Sequence, residues 1–83
     1  MVDAYVLVQT EVGKAAAIAR RIGELDGVAS AQDLIGPFDV LVQLGAPTEK
    51  EFGEVVAAVG KVGGVTRTLT CRIPRVAAEQ GQP

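Results

Sequence analysis

The sequence predicts an α+β fold of order β-α-β-β-α-β, and three observations carry that reading. The chain repeats itself at a constant spacing of 37 residues: Ile18 matches Val55, Ile22 matches Val59, Gly23 matches Gly60 and Leu25 matches Val62. Leu25-Asp26-Gly27-Val28 closes the first copy as Val62-Gly63-Gly64-Val65 closes the second. Within each copy, strand-like apolar runs flank a stretch of helical period. Two split βαβ units of this kind give a four-stranded antiparallel sheet with both helices on one face, the ferredoxin-like arrangement. Each unit is too short to bury its apolar face alone. The other face of the sheet is left uncovered, and what covers it is the functional question.

The elements follow in order. Residues 4–9 (A-Y-V-L-V-Q) form an almost continuous apolar run with β-branched and aromatic side chains, a strand that needs cover on both faces. A helix is expected over 11–25, with Ala15, Ile18, Ala19, Ile22 and Leu25 on one face. Asp26-Gly27 stops it, because glycine accepts the left-handed conformation at a helix end. Strands are expected over 28–35 and 38–44, joined by a short Gly36-Pro37 turn into a hairpin. Thr48-Glu49-Lys50-Glu51 fits a capping box opening a second helix over 49–61. Gly63-Gly64 ends that helix, and a last strand over 65–73 stops at Pro74, which cannot donate to a ladder. Gly23 and Gly60 inside the helices each cost roughly 1 kcal/mol relative to alanine. A close approach of the last helical turn to the sheet is the expected reason.

At 83 residues the chain is one domain, expected over 1–75 with a flexible tail over 76–83. A chain this small buries only about 60–65% of the surface its unfolded form exposes. One cysteine and no histidine leave neither an internal disulfide nor a Cys/His metal site to support it. The hydrophobic fraction is nonetheless 48%, so self-association is the remaining route to stability. Net charge is −2 and the pI about 4.9, with eight basic residues scattered among ten acidic ones. That balance argues against direct nucleic-acid binding, which draws on a basic stripe. No apolar run approaches the roughly 20 residues that span a bilayer. Met1-Val2-Asp3 has no basic region before an apolar stretch, so no signal peptide is expected and the location is read as cytoplasmic.

Catalysis is poorly served. Histidine is absent, Cys71 reads as a small core residue, and Glu49, Glu51 and Glu54 suit a helix start better than a metal cluster. The chain is expected to be no enzyme and to need no cofactor. Two segments suit a binding role instead. In Ile35-Gly36-Pro37-Phe38-Asp39, a glycine at a hairpin tip lets a ligand approach the backbone, and a carboxylate at a strand start can receive an ammonium group. An ordinary turn with Asp39 bonded to its own backbone is the alternative. In Val65-Thr66-Arg67-Thr68-Leu69-Thr70-Cys71, three threonines line one face, while Arg67, Leu69 and Cys71 line the other. Hydroxyls there suit a small zwitterion or a wet interface, although threonine also simply suits strands. Arg67 fits an interface ion pair or a carboxylate clamp equally well.

Taken together, the opening A-Y-V-L-V-Q strand, G-V-x-x-A leading into G-P-F-D, and the closing G-V-T-R-T-L-T resemble the effector-binding (RAM) domain of Lrp/AsnC transcription factors, over about residues 4–73. The resemblance implies a ferredoxin-like domain that dimerises sheet to sheet and assembles further into octamers or decamers. It implies an amino acid or related small molecule at the contact between dimers. Ligand roles then fall on Gly36, Phe38 and Asp39, with Thr68 and Thr70 as partners across an interface. With only Met1-Val2-Asp3 before the first strand, the chain is similar to stand-alone versions without a DNA-binding domain, and full-length Lrp/AsnC regulators are expected partners through co-assembly. Pro37 stands where a polar residue is common and removes a backbone donor from the hairpin. A ligand-free structural assembly protein is one alternative. An ACT-like amino-acid-binding domain is another, and it would pair its sheets side by side.

Overall fold

The computed structural model describes residues 1–74, so the expected tail over 76–83 lies outside the described residues. Six elements follow in the expected order: β1 (Val2–Thr10), α1 (Ala15–Gly23), β2 (Val28–Asp33), β3 (Val40–Ala46), α2 (Glu49–Gly60) and β4 (Val65–Arg72). They form one antiparallel sheet of order β2-β3-β1-β4. The ferredoxin-like fold is thus the one the repeat predicts.

The core lies between the sheet and both helices. Ala4, Val6 and Val8 of β1 alternate into it, as do Val40, Val42 and Leu44 of β3. Ile18 and Ile22 of α1 and Phe52 and Val59 of α2 meet them there. Among the described residues no polar or charged side chain is buried.

The other face is bare. Directly paired residues share a face, so Tyr5, Leu7 and Gln9 of β1 line up with Cys71, Leu69 and Arg67 of β4. On the other side Tyr5 pairs with Gln43, and Leu7 with Leu41. Leu41, Leu7 and Leu69 therefore form an apolar row across three strands, and Tyr5 and Leu69 are 41% and 44% exposed. Cys71 belongs to this face and is exposed. Its expected place in the core fails because β4 is an edge strand whose odd-numbered side chains meet no helix.

The repeat governs detail as well as order. Both helices end in the same three hydrogen bonds: Glu24, Leu25 and Val28 donate to Arg21, Ile22 and Leu25, and Lys61, Val62 and Val65 donate to Ala58, Val59 and Val62. Gly27 and Gly64 follow with φ of +91° and +95°. Register shifts place a bulged residue at Ala29 in β2 and at Thr66 in β4, the same position of each copy. The bulge takes Thr66 out of the threonine row, leaving Thr68 and Thr70.

Four more expectations are corrected. Helix α1 begins at Ala15, not 11, because Lys14 donates to the Glu11 carbonyl in a turn through Gly13 (φ +80°) and no side chain caps the helix. Helix α2 does begin at Glu49, where Glu51 N–H donates to Thr48 Oγ1 at 3.2 Å. The Thr48 hydroxyl returns a bond to Glu51 Oε1 at 3.1 Å, so the glutamate meets the hydroxyl in place of the backbone. Close approach is not the reason for Gly23 and Gly60: a Cβ there would meet only Ala31 Cβ at 3.9 Å, and nothing within 4 Å, respectively. At the helix ends the tight contacts fall at Gly27 and Gly64 instead. Finally, β2 ends at Asp33 and β3 starts at Val40, so residues 34–39 form a loop and Phe38 and Asp39 precede the strand.

Candidate functional site

The loop over 34–39 is anchored chiefly to β1. Asp39 N–H donates to the Val8 carbonyl at 2.8 Å, while the Asp39 carbonyl accepts from Leu34 N–H at 2.8 Å. In a regular strand both groups of one residue point to the same neighbour. Here they point to opposite sides, and this is why regular pairing stops at Val40. The Asp39 carboxylate then reaches past its own hairpin, Oδ2 accepting the Thr10 N–H at 2.8 Å. Thr10 sits where the β1–β4 register shifts, so the carboxylate satisfies a backbone donor at the bulge. Gln9 Nε2 adds a bond to the Pro37 carbonyl at 3.0 Å.

Asp39 is therefore neither a free carboxylate nor one bonded to its own turn. It holds the hairpin on β1. The tip beyond it is open: a Cβ at Gly36 would meet nothing within 4 Å, and Ile35 is fully exposed. Phe38 and Asp39 are half-buried at the base of the loop.

Thr68 and Thr70 lie across β1 from this loop. Thr68 pairs with Val8 and Thr70 with Val6, which places both on the helix-bearing face of the edge strand. One whole strand separates them from the hairpin, roughly 10 Å at ordinary strand spacing. Within one copy the five residues make two groups, Gly36-Phe38-Asp39 and Thr68-Thr70. Near them Arg72 stacks 4.9 Å from the Phe52 ring centroid and pairs with Glu49, tying β4 to the first turn of α2.

Gln9 and Thr10 were not singled out by the sequence. The only signal for them is that they are the first polar pair after the apolar run of β1. A cleft of about 550 Å³ was also not foreseen. It opens at the far end of β3, between Asp26-Gly27 and α2, with Pro47, Glu54 and Val55 in its wall. Among the described residues no group of three or more His, Cys, Asp or Glu side chains is placed to hold a metal, and no helix is long and apolar enough to cross a membrane.

Comparison with known proteins agrees with this fold. A protein of Thermus thermophilus of known crystal structure is 29% identical, with 90% of this chain and 95% of that one superposed at a TM-score of 0.82. A transcriptional regulator of Neisseria meningitidis, crystallised as a complex with L-Met, is 20% identical over 88% of this chain and 49% of its own, with a TM-score of 0.72. At that identity the likeness shows the fold. Homocitrate synthase of Sulfurisphaera tokodaii is 32% identical over 54 residues, 65% of this chain. The match spans only 12% of the synthase. The family model of the Lrp/AsnC ligand-binding domain matches residues 3–82, and with its βαββαβ order this chain belongs to the Lrp/AsnC ligand-binding domain family.

Proposed function

We propose that the chain is an oligomeric effector-binding module of transcriptional-regulator type, which binds an amino acid or a related small metabolite at the hairpin. The observation that carries this is the Asp39 clamp. It fixes a loop with an open glycine tip while leaving a carboxylate at its base. In this reading the backbone at Gly36 and the Asp39 carboxylate receive the head group. Phe38 shapes the wall, and Thr68 and Thr70 of a neighbouring copy close the site. The separation of the two residue groups within one copy favours a shared site. The Neisseria regulator, about half of which has this fold, was crystallised as a complex with L-Met, which supports an amino acid as the ligand class.

The bare Leu41–Leu7–Leu69 face supports sheet-to-sheet dimers, which further contacts would build into octamers or decamers. Full-length Lrp/AsnC-type regulators are the proposed partners, joined by co-assembly in the cytoplasm, with no nucleic-acid contact by this domain itself. A ligand changes such an assembly only by binding one oligomeric form better than another. The test is calorimetric titration with the proteinogenic amino acids, L-Met included, alongside light scattering. Binding that Asp39→Asn weakens at least tenfold supports the site. No heat and no change in size across the panel removes the effector role and leaves an assembly domain.

The matched segments of the homocitrate synthases favour a second reading, an effector domain that serves a biosynthetic enzyme. Purification of the native complex separates the two by whether a regulator or an enzyme comes with the chain.

A further inference from the structure

The two edges of the sheet are unequal. Beyond its bulge β2 keeps only Ser30 to Asp33 in regular register, whereas β4 keeps Arg67 to Arg72. Ile73 donates its N–H to the Asp3 carbonyl at 2.9 Å. Alternation along the strand then turns the backbone groups of Cys71, Leu69 and Arg67 toward β1, and those of Thr68 and Thr70 outward. Natural edges are blunted by proline, charged side chains, bulges or a covering element. Between the bulge with Arg67 at one end and Arg72 at the other, residues 68–71 contain neither proline nor charge, β4 ends the sheet order, and Arg72 is drawn away onto Phe52 and Glu49.

We infer that β4 is a self-pairing edge, where the β4 strands of two copies run antiparallel about a two-fold axis centred on Leu69. The outward groups of Thr68 then exchange both backbone bonds with Thr70 of the second copy, and Thr70 with its Thr68. Leu69 meets its own counterpart on the bare face, in the closer, non-hydrogen-bonded type of pair. The apolar row Leu41–Leu7–Leu69 continues without a break into its symmetry mate. On the helix-bearing face, threonine meets threonine, a favourable cross-strand pair. Arg67 falls opposite Cys71, so no like charges are directly opposed.

Of the two neighbouring symmetric registers, the one centred on Thr68 would set Thr70 against Thr66, where the bulge breaks the ladder, and the one centred on Thr70 would set Leu69 against Cys71 and interrupt the apolar row. The Leu69 register is the one the strand favours. This edge is a different surface from the bare face, so one copy can use both and grow beyond a dimer. The inference needs no ligand.

Cysteine cross-linking of the whole chain tests it, in a Cys71→Ser background. Thr68→Cys and Thr70→Cys single variants are oxidised mildly, alone and mixed. Both positions lie on the helix-bearing face, away from any sheet-to-sheet contact, and the paired Cα atoms would lie about 5.5 Å apart, within disulfide reach. The mixture is expected to give at least tenfold more covalent dimer than either variant alone. Equal yields in all three samples would overturn the pairing. Thr68→Pro removes an outward N–H without touching the β1 ladder. With an unchanged circular dichroism spectrum, its mass in sedimentation equilibrium is expected to fall to that of the sheet-to-sheet dimer, and an unchanged mass in that folded variant also overturns the pairing. Should the proline variant lose its fold, the cross-linking yields decide.

Discussion

Ile18 fills the space that a side chain on Gly64 would need: a Cβ there would lie 2.6 Å from Ile18 Cδ1. The same contact is made again one repeat away, where a Cβ on Gly27 would lie 2.6 Å from Val55 Cγ2. Each helix thus presses on the glycine that ends the other half of the chain. The duplicated sequence is a pair of reciprocal locks.

Gly64→Ala is expected to lose stability on two counts. A left-handed alanine costs about 1–2 kcal/mol, and the overlap with Ile18 about 1–3 more. Urea unfolding should therefore show a loss of roughly 2–5 kcal/mol. Ile18→Val removes the clashing methyl for about 1 kcal/mol. The double variant should lose clearly less than the sum of the two, whereas strict additivity would place the strain in the backbone alone.

Asp39→Ala removes the acceptor of the Thr10 N–H. Hydrogen bonds to charged groups contribute about 1.5–3 kcal/mol, so a loss of this order in thermal unfolding is expected. Faster hydrogen exchange of the Thr10 amide should accompany it. Asp39→Asn keeps an acceptor and should restore the amide's protection without the charge. If Thr10 exchanges equally slowly in the alanine variant, the carboxylate is not what holds the hairpin.

Leu7→Lys places a charge at the centre of the bare face while leaving Val6 and Val8 in the core. An uncompensated buried charge costs about 3–5 kcal/mol, so self-association through that face should weaken by on the order of a hundredfold or more. Sedimentation equilibrium reads this directly, with circular dichroism confirming the fold.

Thr48→Ala removes the cap of α2 and should cost about 1 kcal/mol in urea unfolding. Lys14 precedes α1 at its N-cap without a side-chain bond, so Lys14→Ala should cost much less.

Most of the architecture was legible because the repeat constrains it twice. Val55 and Ile18 sit where a helix period and a 37-residue offset agree, and the capping threonine marked α2 to the residue. The start of α1 was not legible, since its apolar period runs back past Gly13 while no capping side chain marks the boundary. Cys71 misled because an apolar strand residue looks the same whether its face is packed or bare. At the candidate site the glycine and carboxylate of the hairpin could be named. The partner of Asp39 could not, because Thr10 lies 29 residues away and offers only its backbone.

The sheet order has one further consequence. β1 and β2 of the first half never touch, because β3 of the second half runs between them. Cleaving the chain at Gly36–Pro37 would give two peptides, each with its strands too far apart to bond. Neither would hold a shape in isolation, yet mixing them should regenerate the native spectrum, as two hands make a clasp that one cannot.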